Sequence, residues 1–186
     1  RGRVALGRRD AAAAIRWLER ALAAVPSVEG LGLLADARGL AGDPAGAAEA
    51  EGQLLREGAR GDRLGLASFL ATRGRDTGRA LALLEAERRA RPGVYVEDTH
   101  AWALYRAGRL PEARQASDRA RAFGTNDARL LFHAGAIRLA QGEIEEGRRL
   151  LRSALARNPH FDLGGAREAA ALLAAGRVSV AAEQVR

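Results

Sequence analysis

Few residues in this chain have the types and spacing that catalysis or metal binding would need. The three histidines, His100, His133 and His160, show no i, i+4 spacing that would place two imidazoles on one face of a helix. Asp98 and His100 are two positions apart, so on a helix they point in different directions and form no relay to a serine. Because the chain has no cysteine, disulfides and thiolate metal ligands are excluded. The sequence therefore predicts no catalytic residue, no metal site, no cofactor and no enzyme activity.

Two short segments match known motifs by chance. Residues 30–35 fit the loose glycine pattern of a dinucleotide-binding loop, but that loop must follow a strand, and residues 26–29 supply none. Residues 60–62 form an Arg-Gly-Asp triplet, which is common by chance and here is expected to begin a helix. His100 and His133 are expected to be packed residues, with His100 between two paired helices. None of these features predicts a reaction.

The regular feature of the chain is a repeat of 34 residues. Glycines keep this interval at Gly74, Gly108, Gly142 and Gly176. Two sets of small residues keep it as well: Ala67, Ala101, Gly135 and Ala169 in one set, and Ala86, Ala120 and Ala154 in the other. A period of this length is typical of a solenoid built from pairs of helices. Because only a small side chain fits where two helix backbones approach closely, we expect Ala101 and Ala120 at such crossings.

Composition and turn residues both favour helices. Apolar residues make up 47% of the chain and are mainly Ala and Leu, which suit helices better than strands. Asp10 can cap a first helix, and in residues 42–44 a glycine ends one helix, an aspartate caps the next and a proline fits its first turn. No apolar run approaches the roughly 20 residues that a membrane-spanning helix needs. The sequence therefore predicts an all-α fold.

These signals predict one solenoid domain over residues 1–186, with about five to six helix pairs and both ends incomplete. The first unit is expected to lack its first helix, and the last unit to turn at Gly176. Because the chain begins inside a unit, we expect further sequence before it in the full protein. The predicted units span about residues 1–27 (partial), 28–59, 60–93, 94–127, 128–161 and 162–186 (partial).

Paired helices in a 34-residue unit, with a small residue in mid-helix, glycine at the turn and proline near the end, resemble the tetratricopeptide repeat (TPR). The matching positions are Leu131, Gly135, Gly142, Leu151, Ala154 and Pro159 in residues 128–161, and Ala101, Leu104, Gly108, Ala113 and Ala120 in residues 94–127. Some positions depart from the pattern: Arg63, Glu97 and Gly165 replace a bulky residue, Arg138 an apolar one, and Gly147 and Arg79 small ones. Residues 98–162 also resemble a group of bacterial repeat proteins of unassigned role.

The resemblance implies a right-handed α-solenoid of antiparallel helix pairs, whose first helices line a concave groove that holds a peptide or a partner helix. It places these residues in the groove: Tyr95, Asp98, Trp102, Tyr105, Arg106, Arg129, Phe132, His160 and Phe161. Aromatic residues and arginine often dominate binding energy, so these residues form a candidate recognition patch in which Tyr105 and Arg106 are expected to be the most exposed. In the alternative interpretation, Trp102, Leu104 and Tyr105 pack between adjacent first helices.

One subtype of the TPR family is set aside. TPR proteins that clamp a partner's C-terminal carboxylate use paired Lys and Asn side chains in the groove. This chain has no Lys, and the matching positions hold Asp98, Trp102, Phe132 and Ala136. We therefore predict that the clamp is absent.

The leading hypothesis is a non-catalytic scaffold for protein–protein interaction, with a protein or peptide as partner. A second hypothesis is a nucleic-acid-binding helical repeat, because all 30 basic residues are arginine and the net charge is +7. Six of these arginines cluster in the sequence: Arg73, Arg75, Arg79, Arg88, Arg89 and Arg91. Asp and Glu are interleaved with the arginines throughout, however, which is typical of solvated helix faces. A third hypothesis is a non-catalytic arm of a larger enzyme or secretion assembly, and the compartment, cytoplasm or periplasm, stays open.

Overall fold

The chain is helical throughout the part that the structure describes. The computed structural model describes residues 1–183, and among them there is no strand. The helices are α1 (Gly2–Gly7), α2 (Ala11–Ala24), α3 (Val28–Leu40), α4 (Pro44–Arg60), α5 (Arg63–Arg73), α6 (Thr77–Ala90), α7 (Val94–Arg106), α8 (Leu110–Arg121), α9 (Ala128–Ala140), α10 (Ile144–Arg157) and α11 (Leu163–Glu183). Consecutive helices pack in pairs, α3 with α4, α7 with α8, and α9 with α10. The predicted all-α helical-repeat fold is confirmed. None of the helices described is long and apolar enough to cross a bilayer.

The helices form two compact units, an N-terminal unit of residues 1–84 and a C-terminal unit of residues 85–186, and α6 contributes to both. In the N-terminal unit, α3 packs on α1, α2, α4 and α5. In the C-terminal unit, α9 packs on α7, α8, α10 and α11, and residues 130–137 along it are all buried. α9 therefore lies at the centre of the C-terminal unit. That residues 1–186 form one solenoid with the predicted unit boundaries stays a prediction.

Aspartate caps begin several helices, as the sequence predicts. The carboxylates of Asp10, Asp43 and Asp62 each accept a hydrogen bond from the backbone N–H three positions on, at 2.8 to 2.9 Å. Such a bond satisfies one of the N–H groups that a helix start leaves unpaired. Asp62 caps α5, but Arg60 is the last residue of α4 and Gly61 is the C-cap of α4, so residues 60–62 connect two helices and only Asp62 begins one. Residues 30–35 lie inside α3 with no strand before them, which confirms that their match to a dinucleotide-binding loop is due to chance.

Four of the predicted turn glycines end or connect helices in the left-handed region. Gly42, Gly74, Gly108 and Gly142 have φ between 62 and 81°, a conformation that favours glycine. Gly176 differs, because α11 runs without a break from Leu163 to Glu183, and the predicted turn there is wrong. Ala and Leu precede Gly176, and one glycine inside a helix costs only about 1 kcal/mol, too little to end it.

A short helix begins the chain where none is predicted. α1 covers Gly2–Gly7 and packs on α2 and α3. A Cβ at Gly2 would lie 2.7 Å from Cγ of Leu18, so the two helices approach closely. The prediction that the first unit lacks its first helix is therefore wrong. Six residues with two glycines have little helix propensity of their own, so packing stabilises α1 in a way that the local sequence does not indicate.

Most small residues of the repeat are buried, as a close helix contact requires, although Ala86 is half-buried. Ala101 and Ala120 are at most 1% exposed, as such a contact requires. Between α9 and α10 the approach is closer still: a Cβ at Gly135 would lie 3.0 Å from the carbonyl oxygen of Gly147, and a Cβ at Gly147 would lie 2.9 Å from that of Gly135. Gly147 departs from the family pattern because the backbone opposite leaves no room for a side chain.

Candidate functional site

One face of α7 lies against α9 at the centre of the C-terminal unit. Spacing of three and four residues places four side chains of α7 on this face: Tyr95, Asp98, Trp102 and Tyr105. The ring of Trp102 lies 5.2 Å from that of Phe132 and 4.3 Å from that of His133, both on α9. We define the aromatic seam as the rings in contact here: Trp102, Tyr105, Phe132, His133 and Phe161. The seam brings together residues that are far apart in the sequence.

A buried hydrogen bond connects the two helices next to the seam. Nδ1 of His133 lies 3.0 Å from Oδ2 and 3.1 Å from Oδ1 of Asp98. Because a carboxylate only accepts, His133 donates this bond through Nδ1–H. The side chains of Asp98 and His133 are 4 and 8% exposed, so the bond fixes α7 against α9. Among the described residues, no group of three or more His, Cys, Asp or Glu side chains is arranged to hold a metal.

Sequence reasoning missed His133 as the partner of Asp98, although the repeat contains the signal. The two residues are 35 positions apart, one more than the period. Residues about one period apart lie side by side on successive first helices of a repeat array. A search for pairs across one period, rather than within one helix, would have found this contact.

Trp102 lies at the centre of the seam and is 3% exposed. Its ring stacks on His133, with 14° between the ring planes, and on Tyr105 at 4.9 Å. Its Nε1–H has no hydrogen-bond partner among the described residues. Leu104 is buried as well, whereas Tyr105 is half-buried. Trp102 and Leu104 therefore pack between helices. Tyr105 is less exposed than Tyr95, so the expectation that Tyr105 is among the most exposed of the site residues is wrong.

Arginines accompany the aromatic rings at both ends of this face of α7. Near the start of α7, the guanidinium of Arg129 lies 6.0 Å from the ring of Tyr95, which is 49% exposed. Near the end of α7, the guanidinium of the exposed Arg106 lies 5.8 Å from the ring of Trp102. Cation–π attraction holds a guanidinium near a ring while its N–H donors stay available to a ligand.

Tyr105 adds a hydrogen-bond donor to the end that holds Arg106. Burial, and after it the carboxylate of Glu168 on α11, raises the pKa of Tyr105 above its ordinary value of 10.0. The phenol therefore stays protonated at neutral pH. Glu168 is itself half-buried. This end of α7 thus combines a protonated phenol, an exposed guanidinium and one nearby carboxylate.

The turn between α10 and α11 contains the last two predicted site residues. Phe161 is 9% exposed, and its ring lies 5.5 Å from that of Phe132. His160 is exposed, and its backbone N–H donates to the side-chain oxygen of Asn158 at 2.9 Å. A Cβ at Gly165 would lie 2.9 Å from the ring of Phe161 and 3.1 Å from that of Phe132. The glycine that replaces a bulky residue in α11 therefore makes room for these two rings.

The second acidic residue of α7 is paired on another side of the helix. Glu97 accepts hydrogen bonds from Nε of Arg88 at 2.8 Å and from Nε of Arg119 at 3.0 Å. Burial raises the pKa of Glu97, but the hydrogen bonds from the two guanidinium groups outweigh it and hold the pKa below its ordinary value of 4.5. Glu97 departs from the family pattern because it connects α7 to α6 and α8.

His100 is buried, as expected, and its ring reaches α6. Its Nε2 lies 3.3 Å from Oε1 of Glu85, and its Nδ1 has no hydrogen-bond partner among the described residues. Burial, followed by the positive charge of Arg88, lowers the pKa of His100 below its ordinary value of 6.5. The imidazole is therefore neutral at neutral pH, and acid must protonate a buried group.

Arg138 takes an apolar position of the repeat because two carboxylates surround it. Its guanidinium pairs with Asp118 of α8 and, at 2.9 Å, with Glu143, and its side chain is 12% exposed. Arg38 lies four residues before the turn glycine Gly42, as Arg138 lies before Gly142. The guanidinium of Arg38 pairs with Glu19 of α2 at 3.2 Å. In each of the two compact units, this position therefore connects a helix pair to the helix before it.

The arginines of the predicted nucleic-acid patch are mostly neutralised by carboxylates of their own unit. These five form ion pairs: Arg73, Arg75, Arg88, Arg89 and Arg91. Arg79 forms none among the described residues. Paired arginines contribute little net positive potential, so this segment is not a strongly basic surface.

The chain is similar in structure to a thermophilic TPR protein from Thermus thermophilus. The two are 24% identical, the TM-score is 0.58, and the match covers 91% of this chain and 93% of that protein. No protein-family model matches the sequence. No curated protein matches it either. At this identity the similarity shows the fold alone, which is a TPR-like helical repeat.

Proposed function

We propose that the chain is a non-catalytic scaffold for protein–protein interaction, which binds a peptide or a partner helix along α7 and α9. The observation that carries the proposal is the set of side chains that reach the surface beside the buried seam. We call this set the rim: Tyr95, Tyr105, Arg106 and Arg129. Tyrosine and arginine supply much of the binding energy in protein interfaces. Tyr105 and Arg106 contact Trp102 of the buried seam, so these two rim side chains need little ordering when a partner binds.

The predicted site residues divide into contact residues and supporting residues. The four rim residues and His160 are exposed or half-exposed, and we assign them direct contact with the partner. The others are buried and support the rim: Asp98, Trp102, Phe132 and Phe161. On this assignment a partner meets aromatic edges, guanidinium groups and a phenol.

The hydrogen bond between Asp98 and His133 has a structural role in this proposal. Both side chains are at most 8% exposed, and the imidazole is stacked on Trp102. A substrate would therefore have no access to either group. Catalysis requires a reacting atom within hydrogen-bond distance of the base, and this packing leaves no space for one.

The proposal is tested by co-purification with surface variants of the rim. The tagged chain is purified from its native cells as wild type and as the double variant Tyr95→Ala, Tyr105→Ala. Ile144→Ala is the control, because Ile144 is a 44% exposed apolar residue at the start of α10 and is not a rim residue. Removing two tyrosines from an interface is expected to reduce recovery of a partner more than about tenfold.

Circular dichroism must first show that all three proteins are equally helical. Recovery of a partner by the wild type and the control, with loss in the double variant, supports the proposal. Equal recovery by all three proteins would contradict it. Co-purified nucleic acid that is released steeply with salt would favour the second hypothesis instead, in spite of the paired arginines.

A further inference from the structure

We infer that the occupant of the rim is an acidic peptide segment in extended conformation, with two carboxylates three or four positions apart. The inference rests on the proposed function and adds the chemistry of the partner. The evidence for it is the distribution of charge. The rim presents two arginines without carboxylate partners among the described residues, and the acidic residues of α7 are paired with side chains outside the rim.

Arg106 and Arg129 are set apart from most arginines around them. Neither forms an ion pair within the part of the chain that the structure describes, whereas Arg88, Arg119 and Arg138 of the same unit each pair with a carboxylate. Each instead lies within 6.0 Å of an aromatic ring. A guanidinium held in this way keeps its planar set of donors for a ligand, and that set matches the two oxygens of a carboxylate.

All but one of the acidic side chains near the rim already accept hydrogen bonds from other groups of the chain. Asp98 accepts from His133, and Glu97 accepts from two arginines on other helices. α9 contains no acidic residue, and Asp127 before it caps the helix by accepting from the backbone N–H groups of Arg129 and Leu130. The exception is Glu168 on α11, which acts on Tyr105. The surface between α7 and α9 is therefore positive, with one weakening charge at the Tyr105 end.

The spacing of the two rings gives the scale on which the guanidinium groups of Arg106 and Arg129 are separated, because each guanidinium lies within 6.0 Å of its ring. The rings belong to Tyr95 and Trp102, which are seven residues apart on α7, or two turns and about 10.5 Å along the axis. An extended chain covers this distance in three or four residues at about 3.3 Å each. The protonated phenol of Tyr105 can donate a hydrogen bond to a peptide carbonyl or to the carboxylate beside Arg106.

A nucleic acid fits these observations less well than a peptide. Proteins that bind nucleic acid through its backbone typically neutralise about six to ten phosphates. The rim offers two unpaired guanidinium groups, and five of the six clustered arginines elsewhere are ion-paired. Two cations at a defined spacing suit two carboxylates better than a continuous chain of phosphates.

The test measures binding of fluorescein-labelled synthetic peptides to the purified chain by fluorescence anisotropy. The first peptide carries two glutamates four positions apart in an uncharged background, the second has glutamine at both positions, and the third has its glutamates adjacent. The protein variants are Arg106→Gln, Arg129→Gln and Glu168→Gln. Arg152→Gln is the control, because Arg152 is an exposed arginine of α10 with no ion pair among the described residues.

We expect Arg106→Gln and Arg129→Gln each to lower the affinity for the peptide with spaced glutamates about tenfold. Glu168→Gln should raise the affinity for this peptide about two- to threefold. The control variant should bind like the wild type, and the glutamine and adjacent-glutamate peptides should bind at least about tenfold more weakly. The inference would be overturned if all three peptides bound with equal affinity, or if the two arginine variants bound the spaced peptide as tightly as the wild type does. So would the absence of binding at about 1 mM peptide, or displacement by a single-stranded oligonucleotide at lower concentration.

Failure of this inference differs from failure of the proposed function. If the peptides bind without regard to charge and the Tyr95→Ala, Tyr105→Ala variant abolishes that binding, the scaffold stands and the acidic partner is wrong. If that double variant keeps its protein partner in co-purification, the rim itself is not the binding surface.

Discussion

Gly135→Ala is the change whose effect can be worked most directly from the structure. The new Cβ would lie 2.8 Å from Cδ2 of Leu151 and 3.0 Å from the carbonyl oxygen of Gly147, both closer than normal contact. Because one of these atoms belongs to backbone, α9 and α10 must separate by a few tenths of an ångström. Overpacking of this kind costs about 1–3 kcal/mol. Replacing glycine by alanine inside a helix gives back about 0.5–1 kcal/mol, so the net loss of unfolding free energy should be about 1 kcal/mol and at most about 2.5 kcal/mol.

Gly52→Ala separates the two contributions. Gly52 lies in the middle of α4, and its new Cβ would meet only Nη1 of Arg56 at an ordinary 3.5 Å. It should therefore gain the helix-propensity term of about 0.5–1 kcal/mol without the clash. Urea unfolding followed by circular dichroism gives the free energies. If Gly135→Ala is as stabilising as Gly52→Ala, the close contact between α9 and α10 does not exist.

Three further predictions concern buried polar groups of the C-terminal unit. Asp98→Ala leaves Nδ1–H of His133 buried without an acceptor, so the unfolding free energy should fall by about 1–3 kcal/mol, as measured by urea unfolding at neutral pH. His100 has a lower pKa in the folded state than 6.5, so stability should decline as pH falls from 6.5 toward the folded pKa, and His100→Gln should remove this part of the decline in a series of urea titrations. The pKa of Glu97 is lowered below 4.5 in the folded state, so the contribution of Glu97 to the unfolding free energy should be present above pH 4.5 and be lost as pH falls toward the folded pKa. Glu97→Gln should therefore lower the unfolding free energy near neutral pH and remove this loss at acid pH.

Each of these predictions has a result that would contradict it, and the predictions for Asp98 and His100 also have a control variant. For Asp98, the double variant Asp98→Ala, His133→Ala should show a coupling energy of about 0.5–3 kcal/mol, and strict additivity would mean that the two side chains do not interact. For His100, the control is His160→Gln, which removes an exposed imidazole. Equal pH profiles for the wild type and His100→Gln would contradict the burial of a neutral imidazole. For Glu97, unchanged stability at neutral pH would contradict its hydrogen bonds to Arg88 and Arg119.

The helices and most turns could be predicted because their signals are local. Asp10 and Asp43 cap helices through a backbone N–H three positions away, and Gly74 and Gly108 end helices because they accept a left-handed backbone. The predicted turn at Gly176 is wrong because glycine permits a turn without requiring one. Neighbouring helix formers can override such a glycine.

The side-chain contacts between repeats were harder to predict because they join residues about one period apart. The resemblance assigned Asp98, Trp102 and Phe132 to the groove. It could not indicate that Asp98 and Trp102 are buried against α9, and Phe132 against α7 and the turn after α10. The departures from the family pattern have the same kind of cause. Arg138 is stabilised by carboxylates on two other segments, and Gly165 by two rings that occupy the space of its missing side chain.

The central claim is that a partner protein contacts the rim beside α7 and α9. Site-specific photocrosslinking tests it most directly, with p-benzoylphenylalanine placed at Tyr105 in one protein and at Ile144, on α10, in another. The account predicts a protein adduct at Tyr105 that maps to one acidic segment of the partner and is reduced by Arg106→Gln, with no such adduct at Ile144. Equal adducts at both positions, or an adduct at Ile144 alone, would contradict it.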